Sequence, residues 1–193
     1  MSGGLASRRN VVFGTAGLAV LVGVGASKLA GTVVRRGMPI ERLMPGRAVS
    51  EPVTLSLSGP EGAHSSLVSR RGTPFLLHVW ATWCPPCRHE LPALAGFMRT
   101  WGTDCPVVPV AVSSGSPDDV RAFLDRNGIV DLPTWTVDGT ALKDWYRAAA
   151  LAIPVTFLID DAGRIRATAA GPLDWRSSDA VGVLHQVLAA TTA

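Results

Sequence analysis

The chain has 193 residues, a formal net charge of +3 and 47% hydrophobic residues, with six tryptophans. That length suggests one domain plus an extension, and the apolar content is enough for a compact core. The excess positive charge is N-terminal: residues 1–30 carry Arg8, Arg9 and Lys28 and no acid, so residues 31–193 are formally neutral, which gives no electrostatic reason for a nucleic-acid partner.

Ser7-Arg8-Arg9 precedes an uncharged run from Asn10 to Ser27. The part 11–27 is 17 residues rich in Val, Leu, Ala and Gly, at the low edge of the roughly 17–25 residues a spanning helix needs. It reads either as an uncleaved membrane anchor or as a signal cleaved near Val24-Gly25-Ala26. Ser7-Arg8-Arg9-Asn10-Val11-Val12 is partly similar to the twin-arginine export motif, with Val in place of its Phe-Leu pair; an ordinary basic flank reads equally well. Either route places the remainder outside the cytoplasm, in a bacterial periplasm. It would be held at the inner membrane by residues 11–27 or exported with a cleaved signal. The expected organisation is a signal or anchor over 1–30, a stalk-like linker over 31–48 rich in Gly, Pro and basic residues, and a folded domain over 49–193.

Within that domain, residues 49–57 alternate apolar and polar positions as a strand does. Gly59-Pro60-Glu61-Gly62 is a turn, and residues 65–69 suit a short strand or one helical turn. Phe75 to Trp80 is a buried strand candidate. A helix follows from Pro85 to about Trp101, with Glu90, Leu91, Leu94, Phe97 and Met98 at helical spacing; Pro92 should kink it. Val107 to Val112 is the next buried strand. Ser116-Pro117-Asp118-Asp119 opens a helix that Asn127-Gly128 ends. A strand over 132–137, a short helix over 140–150, a strand over 154–159, a turn at Asp160-Asp161-Ala162-Gly163, a partner strand over 165–170 and a last helix over 178–190 complete the series. Strands alternating with helices and ending in a hairpin and a helix argue an α/β sandwich around a mixed sheet.

Trp83-Cys84-Pro85-Pro86-Cys87 sits where the strand ending at Trp80 meets the helix. Two cysteines with two residues between them at a helix start can form and break a disulfide without moving the backbone. The unpaired N–H groups and dipole of that helix start favour a thiolate, the nucleophile of thiol–disulfide exchange. A zinc site needs four ligands, and Cys105 is the only other cysteine. Covalent haem attachment needs His directly after the second cysteine, where Arg88 stands. Cys105 reads as an unpaired, semi-buried thiol, Trp101, Trp135, Trp145 and Trp175 as packing residues, and His64 and His185 as surface or cap residues.

Val79-Trp80-Ala81-Thr82-Trp83-Cys84-Pro85-Pro86-Cys87-Arg88-His89-Glu90-Leu91-Pro92 and Ile153-Pro154-Val155-Thr156-Phe157-Leu158-Ile159-Asp160 resemble the thioredoxin superfamily and, within it, the membrane-anchored TlpA/ResA-like reductases. Ala170-Gly171-Pro172-Leu173-Asp174-Trp175 is similar to the TlpA branch. The resemblance covers about 49–190. It implies a thioredoxin-like three-layer α/β/α sandwich with a mixed central sheet and an N-terminal β extension. It implies that Cys84 is the exposed attacking thiol, that Cys87 resolves the mixed disulfide, and that Pro154 is cis and lies beside the pair. It further implies that Trp83, Pro85, Pro86 and Ile153 meet the substrate protein, and that the redox-active disulfide Cys84–Cys87 serves in place of a cofactor or metal. Glu90, three residues after Cys87 and on the same side of the helix, would tune the thiols and exchange protons with them. His78 stands six residues before Cys84, where thioredoxin has a buried acid. It reads either as a proton relay or as a core histidine hydrogen-bonded to backbone.

The function these features imply is a periplasmic protein thiol–disulfide oxidoreductase, acting as a reductase with a membrane thiol electron donor. Its clients would be copper-site proteins during cytochrome c oxidase assembly, or apocytochrome c. A disulfide oxidant uses the same motif in the other direction. A Cu(I)-binding chaperone is a third, less supported reading.

Overall fold

The computed structural model describes residues 37–48, 54–147 and 152–192. The expected anchor at 11–27, the export motif and the start of the linker lie outside the described residues. Among the described residues, no helix is long and apolar enough to cross a membrane.

The strands are β1 (Ser56–Ser58), β2 (His64–Ser66), β3 (Phe75–Trp80), β4 (Val107–Val112), β5 (Trp135–Val137), β6 (Val155–Ile159) and β7 (Ile165–Ala170). The α-helices are α1 (Pro85–Trp101), α2 (Pro117–Arg126), α3 (Gly139–Tyr146) and α4 (Ala180–Ala189). The strands form one mixed sheet in the order β2-β1-β5-β4-β3-β6-β7. β4 runs parallel to β3 and β5, whereas β6 is antiparallel to both β3 and β7. β1 and β2 are the N-terminal β extension at one edge. Every residue of β3, β4 and β6 is buried. A strand covered on both faces needs apolar residues on both, so these read as continuous runs rather than alternations.

The pairing register shows what covers each face. His78 pairs with Thr156 and Leu77 with Phe157, so the two pairs point to opposite sides. Glu90 of α1 meets His78 on one side, and Phe97 of α1 meets Trp175, which leads into α4. On the other side, Trp145 of α3 packs edge-on against Phe157. Helices on both faces of a mixed sheet make the three-layer α/β/α sandwich that the thioredoxin resemblance implies.

Local chemistry sets the helix starts. Cys84 caps α1, and Pro85 and Pro86 fill its first turn, where an N–H has no intrahelical partner. Ser116 and Asp119 form a reciprocal capping box on α2. Asp138 caps α3 by accepting from Thr140 N and Ala141 N. α3 stops at Tyr146, before the expected residue 150, where Arg147 turns left-handed at φ 54°. The strand expected over 132–137 is paired only over Trp135–Val137; Pro133 has no N–H to offer a ladder.

The linker reading needs one larger correction. The described part of the segment 31–48 is not a stalk. A 3-10 helix, Ile40–Leu43, packs against α4 and β7 and buries both its end residues. Met38 N donates to Pro172 O at 2.7 Å, and Asp174 N donates to Met38 O at 2.8 Å. Gly37 allows this contact, since a Cβ there would run into the backbone of Leu173 and Asp174. The folded unit therefore begins before residue 49.

Candidate active site

Cys84 and Cys87 are joined by a disulfide, with Cα atoms 5.3 Å apart. The β3–α1 connection places the pair at the start of α1. Cys87 N donates to Cys84 Sγ at 3.3 Å, so the helix start offers an N–H to the sulfur that would carry negative charge after reduction. The Ile153–Pro154 peptide is cis, and Ile153 O lies 3.7 Å from Cys84 Sγ. Pro154 is buried and Ile153 half-buried.

The expectation of an exposed attacking sulfur is corrected in this oxidised form. Cys84 is only 3% exposed, because its Sγ is engaged by Cys87 and faces the Ile153 carbonyl. The neighbours carry the exposure instead: Trp83 is 60% exposed, and Pro85 and Pro86 are exposed beside it. Trp83 is fixed in that position, its indole N–H donating to Ser113 O at 3.0 Å. The preceding Thr82 N donates to Ser114 Oγ at 3.0 Å.

One helical turn after Cys87 on α1, a buried polar group forms around Glu90. Glu90 Oε1 accepts from Leu173 N at 2.8 Å and from Trp175 Nε1 at 2.5 Å. Burial raises the Glu90 carboxyl to about pH 7, although both N–H donors favour the charged form. Its Oε2 lies 3.9 Å from His78 Nε2. His78 is fully buried, and burial pushes it down to about 3, so the two do not form an ion pair at neutral pH. His78 Nδ1 sits 2.9 Å from Thr156 Oγ1, and the ring meets Trp175 edge-on with centroids 5.8 Å apart. The blander reading of His78 as a histidine bonded to backbone is therefore corrected: its partner is a side-chain hydroxyl on β6.

Two contributors escaped the sequence reading. Trp175, read as packing, also holds the carboxylate; its place in the Ala170–Trp175 stretch was the available signal. Thr156 had no signal beyond a polar residue within an apolar strand. Cys105, half-buried, is a free cysteine whose thiol is pushed up by burial, which disfavours the nucleophilic thiolate. His185 is an exposed surface residue, as one of its two readings had it, and stacks on Trp101 with ring centroids 4.2 Å apart. Among the described residues, no cluster of three or more His, Cys, Asp or Glu could hold a metal ion.

Fold and site together define a class: a thioredoxin-fold thiol–disulfide oxidoreductase domain. The chain belongs to the AhpC/TSA family, whose model matches residues 51–168, and is a TlpA/ResA-like member of the thioredoxin superfamily. It is 34% identical over 113 residues to the thioredoxin-like protein YneN of Bacillus subtilis (strain 168), covering 58% of this chain and 64% of that protein's length. It is 30% identical over 162 residues to a thiol:disulfide interchange protein DsbE homologue of Paracoccus denitrificans (strain Pd 1222), covering 81% of this chain and 84% of that one. The crystal structure of StoA from Bacillus subtilis superposes with a TM-score of 0.50 at 29% identity, over 65% of this chain and 92% of StoA.

Proposed function

We propose that this protein is a periplasmic reductase of protein disulfides, tethered by residues 11–27, whose clients are cysteine pairs of copper-site assembly proteins. The observation that carries the reading is the Cys84–Cys87 pair at the start of α1, set against Ile153–Pro154 and beside the exposed Trp83. In the reduced enzyme, the Cys84 thiolate attacks one sulfur of a client disulfide. A mixed disulfide forms and the other client sulfur leaves as a thiolate, which takes up a proton. Cys87 then attacks Cys84 Sγ, the mixed disulfide breaks, and the second client thiolate is released and protonated. The client has gained two electrons and two protons, and the pair is again a disulfide. A thiol donor in the membrane returns the two electrons.

Each neighbouring residue has a part in this cycle. Glu90 is the base that accepts the Cys87 proton as Cys87 attacks; a carboxyl titrating near neutrality is suited to that task. Trp83, Pro85, Pro86 and Ile153 form the surface on which the client peptide rests, with Pro154 fixing the direction of the Ile153 carbonyl. The similarity of the Ala170–Trp175 stretch to the TlpA branch supports copper-site clients; the ResA-like side of the resemblance supports apocytochrome c as a second client.

The test is turnover and trapping. Cys84→Ser should abolish reduction of insulin and of client disulfides, whereas Cys87→Ser should accumulate mixed disulfides that mass spectrometry can identify. Full activity in Cys84→Ser would sink the mechanism. Trapped apocytochrome c, with no copper-site protein, would replace the client named here.

A further inference from the structure

Two buried polar atoms in the site face each other: His78 Nε2 and Glu90 Oε2, 3.9 Å apart, neither with a hydrogen-bond partner among the described residues. The other end of each group is held. Glu90 Oε1 takes two N–H donors, and His78 Nδ1 lies against the Thr156 hydroxyl. A hydroxyl can donate or accept, and a neutral imidazole carries one proton on either nitrogen. Two complete arrangements follow. With Glu90 protonated, its O–H at Oε2 donates to bare Nε2, and Nδ1–H donates to Thr156 Oγ1. With Glu90 ionised, Nε2–H donates to the carboxylate, and Nδ1 accepts from the Thr156 hydroxyl. At 3.9 Å the facing atoms lie beyond hydrogen-bond distance, so either bond requires the two side chains to approach by about 1 Å.

We propose that His78 is a positioning residue that keeps Glu90 hydrogen-bonded in both protonation states by exchanging tautomers against Thr156. The proposal rests on the proton-accepting role given to Glu90 above. When Cys87–SH passes its proton to the Glu90 carboxylate, Cys87 becomes a thiolate and Glu90 a carboxylic acid. The imidazole holds one proton in each resting form, on Nε2 beside the carboxylate and on Nδ1 beside the acid; the proton released at Nε2 and the one taken up at Nδ1 are exchanged with solvent. Without this exchange, one form of Glu90 would leave a buried polar atom unpaired. The groups set against Glu90 are His78 from β3 and Leu173 N and Trp175 Nε1 from the segment before α4; Cys87 stands one helical turn earlier on α1, and Thr156 lies on the far nitrogen of His78. Asp174, between Leu173 and Trp175, is turned away to accept from Arg176 N. Burial leaves His78 neutral over the range in which Glu90 titrates.

The test is the tautomer of His78, read by two-dimensional 15N–1H NMR on the full chain. The oxidised form is used, in which the two cysteines do not titrate. The His78 resonances are assigned by their loss in His78→Asn. The proposal expects Nδ1–H at about pH 5 and Nε2–H at about pH 9, with one midpoint near that of Glu90 and no imidazolium between. Glu90→Gln, whose side-chain N–H donates to Nε2 at every pH, should hold the ring in the Nδ1–H form throughout. One tautomer on both sides of the Glu90 midpoint, or an imidazolium, would overturn the proposal. If that happens while Cys84→Ser still abolishes turnover, the reductase reading survives and only the role of His78 falls; absence of turnover in the wild type would remove the reductase reading itself.

Discussion

Burial moves Glu90 and His78 in opposite directions, and the two shifts oppose each other in the pH dependence of stability. Glu90 goes from about 4.5 in the open chain to about 7 in the fold. Between those values the folded state holds a proton that the unfolded state has lost, so stability falls as pH rises. His78 goes from 6.5 to about 3. Between those values the unfolded state holds the extra proton, so stability rises with pH. Considering these two groups alone, stability should climb from about pH 3 to 4.5, stay level to about 6.5 where the slopes cancel, and fall to about 7. Glu90→Gln removes the falling component, a difference on the order of 3 kcal/mol above neutrality. Urea unfolding of the oxidised protein across this range measures it; identical curves for variant and wild type would refute the assignment. Trp175→Phe deletes one of the two donors to Oε1. The carboxylate then loses stabilisation, so the Glu90 midpoint should move further up, as 13C-carboxyl NMR can follow.

At the scale of elements, the 3-10 helix Ile40–Leu43 tests where the domain begins. Leu43 is fully buried against the body of the fold. Leu43→Ala should therefore cost about 2–5 kcal/mol, as truncation of a core leucine does; a loss below about 0.5 kcal/mol, the usual surface range, would return the segment to a linker. The sequence conceals this element for a physical reason. Ile40 and Leu43 are only two apolar positions, flanked by Pro39 and Pro45, and their partners lie at the opposite end of the chain. Arg166 Nε donates to Gly46 O at 2.8 Å across 120 residues, a contact no local pattern can announce. β3, β4, α1 and α2 were legible because two-sided burial makes continuous apolar runs and because Pro85, Ser116 and Asp119 mark helix starts. The cysteine pair, Pro154 and Glu90 were legible from spacing and resemblance. The other half of the buried group, Thr156 and the indole N–H of Trp175, was not, because it is assembled by pairing β6 with β3 and by the fold-back of the chain before α4.

For the whole molecule, the open quantity is the direction of electron flow, and the site contains opposing influences on it. A pair becomes a strong oxidant when its reduced form is stabilised, as in DsbA at about −120 mV. The start of α1 does stabilise a thiolate, with Cys87 N directed at Cys84 Sγ; a helix terminus contributes about 0.3–1 kcal/mol, up to about 2 in buried geometry. Glu90 acts against it. Near and above neutrality it places a buried carboxylate one helical turn from Cys87, and like charge in a poorly solvated site disfavours the thiolate. Moving from a thioredoxin-like potential of about −270 mV to that of DsbA requires about 7 kcal/mol of extra stabilisation of the reduced form, since 30 mV is about 1.4 kcal/mol for two electrons. The helix start supplies at most about a third of that, and Glu90 subtracts from it. The pair should therefore equilibrate near or below about −270 mV in dithiothreitol buffers. By the same cycle, a potential that low means that the disulfide form gains more from folding than it would in an oxidant, so reducing the pair should lower the unfolding midpoint. A potential near about −120 mV, with the reduced form the more stable of the two, would mean an oxidant and would remove the client reading with it.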